Sequence, residues 1–248
     1  MADDTPPPAG TGAHLTLNSP LSQDALSRLL SRATEHGPQR IVDHGCGWGE
    51  ALLQALAASP GATGAGDDVD DTDLVRARAA AEDRGLADRV TFVAGRAADH
   101  REPADLLISM GAYHALGSGP AEAMRALRED ARPGGRAVFG LEYWAQTPTP
   151  EELSHMWPGA SLDDCAILPD IVDQLHATGW RILDLHDTTR TEWDAYEVGH
   201  FRERELWLAA QPDPVRQQHP VRAELDRVWT SWLRGHRRSL GFVTFVLA

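Results

Sequence analysis

The residues best suited to chemistry in this chain are three glycines spaced by two, within the stretch RIVDHGCGWGE of residues 40–50. They follow an apolar strand and an acid, and glycines there let the backbone turn sharply and approach a bound molecule. Strand, turn and the following helix N-terminus predict outward N–H groups at the carboxyl end of a sheet, where open α/β sheets bind ligands. A dinucleotide motif would need glycine at position 50, where Glu50 stands. The spacing therefore favours a ligand with an amino acid end, whose ammonium tolerates acid, over one with two phosphates.

This stretch resembles the first motif of the class I S-adenosylmethionine-dependent methyltransferases, which has the form acid-x-G-x-G-x-G. The resemblance is good over residues 40–145 and rests on element order alone elsewhere. It implies an α/β fold: a Rossmann-like, doubly wound seven-stranded sheet with an antiparallel C-terminal strand and a helical insertion between the last two strands. It also implies S-adenosylmethionine as cofactor and S-adenosylhomocysteine as product.

The resemblance assigns the cofactor residues. A second strand, 63–68, ends in acid where a neighbouring strand would present a carboxylate to a ribose, which points to Asp68, or to Asp67 if the register slips. The family commonly reads adenine with an aspartate where this chain has Arg96, which cannot accept a hydrogen bond. We expect backbone groups around Ala97, or Asp99, to read the adenine instead. The predicted cofactor-binding residues are Asp43, Gly45, Cys46, Gly47, Gly49, Asp68, Val69, Arg96, Ala97 and Met110, the last through its backbone carbonyl.

Polar side chains at the ends of two further predicted strands, 104–111 and 136–141, are candidates for removing a proton during methyl transfer. The predicted catalytic residues are His114, Tyr113, Glu142 and Tyr143. We place His114 first because imidazole titrates near neutrality and its strand end faces the predicted chamber. The alternative for any one of these residues is a structural role, such as that of a core histidine that is hydrogen-bonded to the backbone. His44, inside the glycine turn, is predicted to orient the loop.

Beyond Trp144 the pattern becomes irregular, and residues 145–167 have the length of a lid or binding loop. We predict a flexible N-terminal segment, 1–20, and a single methyltransferase domain, 21–248, that carries this lid and a helical insertion over 190–240. Aromatic rings there could line a substrate pocket or cage a cation. The predicted substrate-binding residues are His14, Trp144, Trp157, Trp193 and Tyr196; core positions are predicted for Trp180, Trp207, Trp229 and Trp232.

Composition narrows the range of partners. The formal net charge is -14 and the chain has no lysine, which argues against nucleic acid or an anionic membrane as partner. The basic cluster at 234–238 is predicted to be the solvated end of a helix. Two cysteines give neither a disulfide framework nor metal spacing, so we predict no metal site and a cytoplasmic location. The first residues lack the order of a signal peptide, and arginine in place of lysine is typical of a GC-rich bacterial genome.

The sequence thus predicts a monomeric or homodimeric methyltransferase that acts on an oxygen, nitrogen or carbon nucleophile of a small organic molecule, such as a specialised metabolite. Two alternatives stay open. One is an enzyme of the same fold that catalyses a cyclisation or decarboxylation without methyl transfer. The other is a non-catalytic binding module in which the glycine turn merely packs.

Overall fold

The computed structural model describes residues 5–248 and contains a seven-stranded sheet in the order β3-β2-β1-β4-β5-β7-β6. The strands are β1 (Arg40–His44), β2 (Thr63–Asp68), β3 (Val90–Ala94), β4 (Ala104–Met110), β5 (Ala131–Trp144), β6 (Ile182–Asp187) and β7 (Leu240–Leu247). Strands β1 to β5 pair in parallel, and β7 runs antiparallel to β6. This confirms the predicted fold.

Helices connect the strands. The α-helices are α1 (Gln23–Thr34), α2 (Glu50–Ala58), α3 (Asp71–Asp83), α4 (Pro120–Asp130), α5 (Pro150–His155), α6 (Leu168–Ala177), α7 (Arg190–Ala209), α8 (Asp213–Gln218) and α9 (Pro220–Thr230). Short 3₁₀ turns occupy Ala87–Arg89, Ala97–Asp99, Tyr113–Ala115 and Leu162–Asp164, and a π-helical turn occupies Ser231–His236. Among residues 5–248, no helix is long and apolar enough to cross a membrane.

The centre of the sheet is its driest part. Ile41 of β1 and Leu106, Leu107 and Ile108 of β4 have no exposed surface. A parallel strand covered by helices on both faces must be apolar along its length, which explains these continuous runs. The central pair thereby holds the carboxyl ends of β1 and β4 in fixed register.

Three elements differ from expectation. Helix α1 was not assigned from the sequence, although Ser22 caps it and its leucines are buried. Strand β5 begins at Ala131, five residues before the predicted start at 136, and its pairing with β4 is irregular over this added part. The last α-helix of the helical insertion predicted over 190–240 ends at Thr230 and continues as the π-helical turn.

Contacts divide the chain into two compact units. The sheet unit comprises Leu21–Glu142, Leu168–Thr188 and Phe242–Ala248; the helical unit comprises the described residues 5–20 together with Tyr143–Ile167 and Thr189–Gly241. The segments that we predicted as N-terminal segment, lid and insertion therefore fall together in the helical unit. The single domain with a lid stays a prediction.

The N-terminal segment makes defined contacts within the helical unit. The Thr11 hydroxyl donates to the Glu203 carboxylate at 2.6 Å. Leu15 fills the space beside Gly199, where an added Cβ would lie 2.2 Å from a Leu15 methyl carbon. Residues 1–4 of the segment predicted to be flexible lie outside the described residues, and its flexibility stays a prediction.

Candidate cofactor and active site

The glycine turn follows β1 and uses backbone angles that favour glycine. Gly45, Gly47 and Gly49 have φ of 68°, 51° and 75°. A Cβ on Gly45 would lie 2.2 Å from the Cβ of Ala112, just beyond the end of β4. Both the positive φ and this close approach require glycine at position 45.

The amides of the turn are used by the protein itself. The N–H of Cys46 donates to the Asp67 carbonyl at 2.9 Å, and the N–H of Gly49 donates to the Cys46 carbonyl at 2.9 Å. The N–H of Gly47 donates to the Asp68 carboxylate at 2.8 Å. The prediction that the turn presents outward N–H groups is therefore wrong for these three residues. A turn with engaged amides beside carboxylates suits a cationic ammonium better than a phosphate.

Glu50, which occupies the position of the third glycine of a dinucleotide motif, faces the protein. Its buried carboxylate lies 2.6 Å from Nη2 of Arg84 and accepts from Gln54 at 2.7 Å. The charge of Glu50 is thus neutralised within the fold. The preference of the site for an ammonium therefore rests on the acids next to the turn, Asp43, Asp67 and Asp68.

Asp68 is held against the glycine turn, as its predicted role requires. Its carboxylate accepts from Gly47 and from the N–H of Asp70 at 3.0 Å. A carboxylate has about four acceptor positions, so two remain for a ribose diol. Asp67 is buried and bound to Nδ1 of His44 at 2.6 Å, which leaves Asp68 as the ribose candidate. The same bond ties His44 to the end of β2, consistent with a role in orienting the loop.

Asp43 lies beneath the turn and is only 2% exposed. Burial, followed by the neighbouring Asp67 and Asp68, raises its pKa from 3.8 to about 7, while His44 and a backbone hydrogen bond oppose the shift. A cationic ligand nearby would favour its charged form. Burial also raises the pKa of the Cys46 thiol, so Cys46 stays protonated and is no nucleophile.

The region predicted for adenine lies after β3. Ala97 is buried in a 3₁₀ turn, whereas Arg96 is exposed and Val69, next to Asp68, is 75% exposed. The ring of His100, which sequence reasoning did not single out, lies against Gly95, with Nε2 2.5 Å from where a Cβ would be. The His100 ring can approach Gly95 because of the 3₁₀ turn, and no pattern in the sequence predicted that turn.

The predicted catalytic groups of the sheet unit lie at the ends of β4 and β5, which are neighbours in the sheet. Tyr113 and the exposed His114 form the 3₁₀ turn after β4, with their rings 5.9 Å apart. Glu142, near the end of β5, is half-buried, and burial raises the pKa of its carboxyl. A backbone hydrogen bond and the charge of His114 oppose this shift, so His114 and Glu142 lie within electrostatic reach of each other.

The remaining predicted site residues belong to the helical unit. Tyr143 is buried with its ring against Gly241, and His14 is exposed. Trp144 donates to the Leu162 carbonyl at 2.9 Å and lies parallel to Trp157, with ring centroids 6.4 Å apart.

Trp193 and Tyr196 form a second group, with ring centroids 5.8 Å apart. Trp232 and His236, for which no site role was predicted, lie next to both groups of rings. Met110, back in the sheet unit, pairs with Gly140 of β5.

The basic cluster at 234–238 lies at the end of the π-helical turn, and Arg234 and Arg238 are exposed there as predicted. Arg237 binds Asp194 through two bonds of 2.8 Å each, and Arg238 binds the carboxylate of Glu152. These two ion pairs were not predicted, because both acidic partners are distant in sequence and a local charge pattern does not indicate them. Among residues 5–248, no group of three or more His, Cys, Asp or Glu side chains is arranged to hold a metal ion.

Comparison with known proteins agrees with this geometry. A family model described as "Methyltransferase domain" matches residues 41–135. A protein of Escherichia coli strain K12 named "Uncharacterized protein YjhP" is 31% identical, with 84% of each chain covered. The chain belongs to the class I S-adenosylmethionine-dependent methyltransferases, and S-adenosylmethionine is the cofactor of this enzyme.

Solved structures extend the similarity to 96% of the chain. An S-adenosylmethionine-dependent methyltransferase of Geobacter sulfurreducens, in complex with S-adenosylhomocysteine, has a TM-score of 0.82 at 28% identity, covering 96% of both chains. A corresponding complex from Thiobacillus denitrificans has a TM-score of 0.80 at 26% identity, again covering 96% of both. The structure of YjhP has a TM-score of 0.80 at 29% identity, covering 96% of this chain and 97% of that one.

Proposed function

We propose that this enzyme transfers the methyl group of S-adenosylmethionine to an oxygen, nitrogen or carbon nucleophile of a small organic molecule, such as a specialised metabolite. One observation carries the proposal beyond the family. A carboxyl with a raised pKa, Glu142, and a histidine, His114, share the carboxyl edge of two adjacent strands. Paired acid–base groups at this edge are what removal of a proton from an acceptor requires.

In the proposed site the turn and its neighbours hold the cofactor. Asp68 takes the ribose hydroxyls, Asp43 and the Met110 carbonyl face the amino end, and Val69 and Ala97 lie on the adenine side. S-adenosylmethionine, when bound, supplies an electrophilic methyl carbon. The remaining task of the protein is to align the acceptor and to accept its proton.

His114 accepts the proton of the acceptor in this proposal. Its exposure lets it meet a substrate, and Glu142 stabilises the imidazolium that forms. The raised pKa of Glu142 means that its charge develops most readily when His114 is positive. The pair therefore gains its attraction at the step where the proton moves.

The test measures release of S-adenosylhomocysteine with a panel of phenols, amines and activated-carbon acceptors. For H114F and E142Q we expect kcat to fall about a hundredfold, with the Kd for S-adenosylhomocysteine unchanged. H176F, which changes an exposed histidine on α6, is the matched control and keeps full activity. Wild-type kcat in H114F would refute the base assignment, and turnover without S-adenosylhomocysteine would favour a cyclase or decarboxylase.

A further inference from the structure

The helical unit contains a continuous row of rings. Its members, called the ring row below, are Trp144, Trp157, His236, Trp232, Trp193 and Tyr196. His236 lies in the middle, with its ring centroid 6.0 Å from that of Trp157 and 5.0 Å from that of Trp232. Trp157 is 38% exposed, so the row is reachable from solvent at this ring.

His236 carries a defined hydrogen-bonding capacity. Its Nε2 lies 3.0 Å from Oε1 of Glu197, and its Nδ1 is buried with no hydrogen-bond partner among the described residues. An ionised carboxylate only accepts, so Nε2 carries the proton and Nδ1 offers a lone pair. A buried acceptor without a donor is unfavourable, and a ligand hydroxyl would relieve it.

Two acids beside His236 are already engaged in bonds within the protein. Asp194 is neutralised by its two bonds to Arg237 and also accepts from Nε1 of Trp232 at 3.2 Å. Arg190 lies over the Trp232 ring at 6.0 Å. Glu197 is thus the acid that faces His236, and it is occupied by that bond. The bonds made by Asp194 and Glu197 disfavour capture of a cation beside His236, for which a free carboxylate would help; the Asp164 carboxylate accepts from Nε1 of Trp157 at 2.8 Å, at the other end of the row.

The backbone around His236 also has an unusual conformation. Trp232 and His236 both lie in the π-helical turn Ser231–His236, a rare conformation that often marks functional sites. Gly235 lets this turn approach α5, since a Cβ there would lie 3.1 Å from the carbonyl carbon of His155. The widened turn is therefore held in place by packing.

We propose that the ring row binds a planar aromatic acceptor that bears a hydroxyl, and that this hydroxyl, which is distinct from the group whose proton His114 accepts, donates to Nδ1 of His236. The proposal rests on the proposed function, because it names the substrate class of that activity. The rings supply stacking surface and His236 selects for the donor.

The experiment compares two aromatic probes, phenol and anisole, of which only phenol has a hydrogen-bond donor. Phenol and anisole are titrated into the full-length protein saturated with S-adenosylhomocysteine, and binding is followed by ligand-observed NMR. We expect phenol to bind about tenfold more tightly than anisole, because anisole leaves Nδ1 without a donor. H236F should remove this preference and H176F should keep it.

A second variant tests the tautomer without removing the ring. In E197Q the amide can donate to Nε2, which allows the proton to sit on Nδ1, so the preference for phenol should narrow. Unfolding temperature and the Kd for S-adenosylhomocysteine show whether each variant is folded.

Several outcomes would overturn the proposal: equal binding of phenol and anisole, no binding of either, a preference that survives in H236F, or tighter binding of tetramethylammonium. Intact cofactor binding with any of these results would refute this site alone. Loss of S-adenosylhomocysteine binding by the wild type would instead refute the cofactor assignment behind the proposed function.

Discussion

Asp43 is a buried carboxyl next to the glycine turn, and its raised pKa predicts how the stability of the protein depends on pH. The pKa is raised from 3.8 to about 7 on folding, so between these values the folded state holds a proton that the unfolded state has released. The free energy of unfolding contributed by Asp43 is therefore greatest at acidic pH and falls, by about 4 kcal/mol in all, as pH rises to 7.

Urea unfolding of wild type and D43N between pH 4 and 8 measures this contribution. Asparagine cannot ionise, so D43N should gain stability relative to wild type as pH rises. D163N, which changes an exposed acid, is the control and should track the wild type. If the free energies of unfolding of D43N and wild type change with pH in parallel, the pKa of Asp43 is not raised in the folded state.

At the scale of elements, prediction succeeded where local pattern and tertiary demand coincide. Strand β2 has the predicted bounds, and β4 ends one residue before its predicted end, because buried parallel strands must be apolar. The start of β5 was missed because Pro133 and two glycines favour a turn, whereas the ladder with β4 extends the strand through them.

The π-helical turn and the bond between His236 and Glu197 lay beyond sequence reasoning for another reason. The two residues are 39 positions apart, and their contact depends on how α7 meets the turn after α9. No periodicity encodes an i→i+5 turn. Partnership among distant side chains is therefore the part of the site that only the folded chain reveals.

The glycine turn allows a direct test of packing at this scale. In G45A the added Cβ meets Ala112 and the backbone keeps a positive φ, so we expect a loss of about 3 kcal/mol of unfolding free energy. In G61A the φ of 86° is equally unfavourable but nothing lies within 4 Å of the Cβ, so the loss should be about 1 kcal/mol. Chemical unfolding of both variants compares them, and equal losses would remove the argument from close approach.

At the scale of the whole molecule, the two compact units contain different groups of candidate site residues. The sheet unit contains the glycine turn and Asp68, and the helical unit contains the ring row. A ligand that binds one of them slows exchange of the amides it stabilises, because exchange reports local opening. Hydrogen exchange can therefore assign each ligand to its unit without any activity assay.

We predict that S-adenosylhomocysteine slows exchange at residues 45–50 and 67–70, and that phenol added afterwards slows exchange at residues 231–237. In D68N, at least tenfold more S-adenosylhomocysteine should be needed for the same protection at these residues, since a charge-assisted bond to the ribose is lost. D70A, which removes the side-chain cap of α3, should loosen that helix start by about 1 kcal/mol and leave ligand protection unchanged. Protection by S-adenosylhomocysteine that persists in D68N would show that position 68 does not hold the sugar, and the glycine turn would then need another partner.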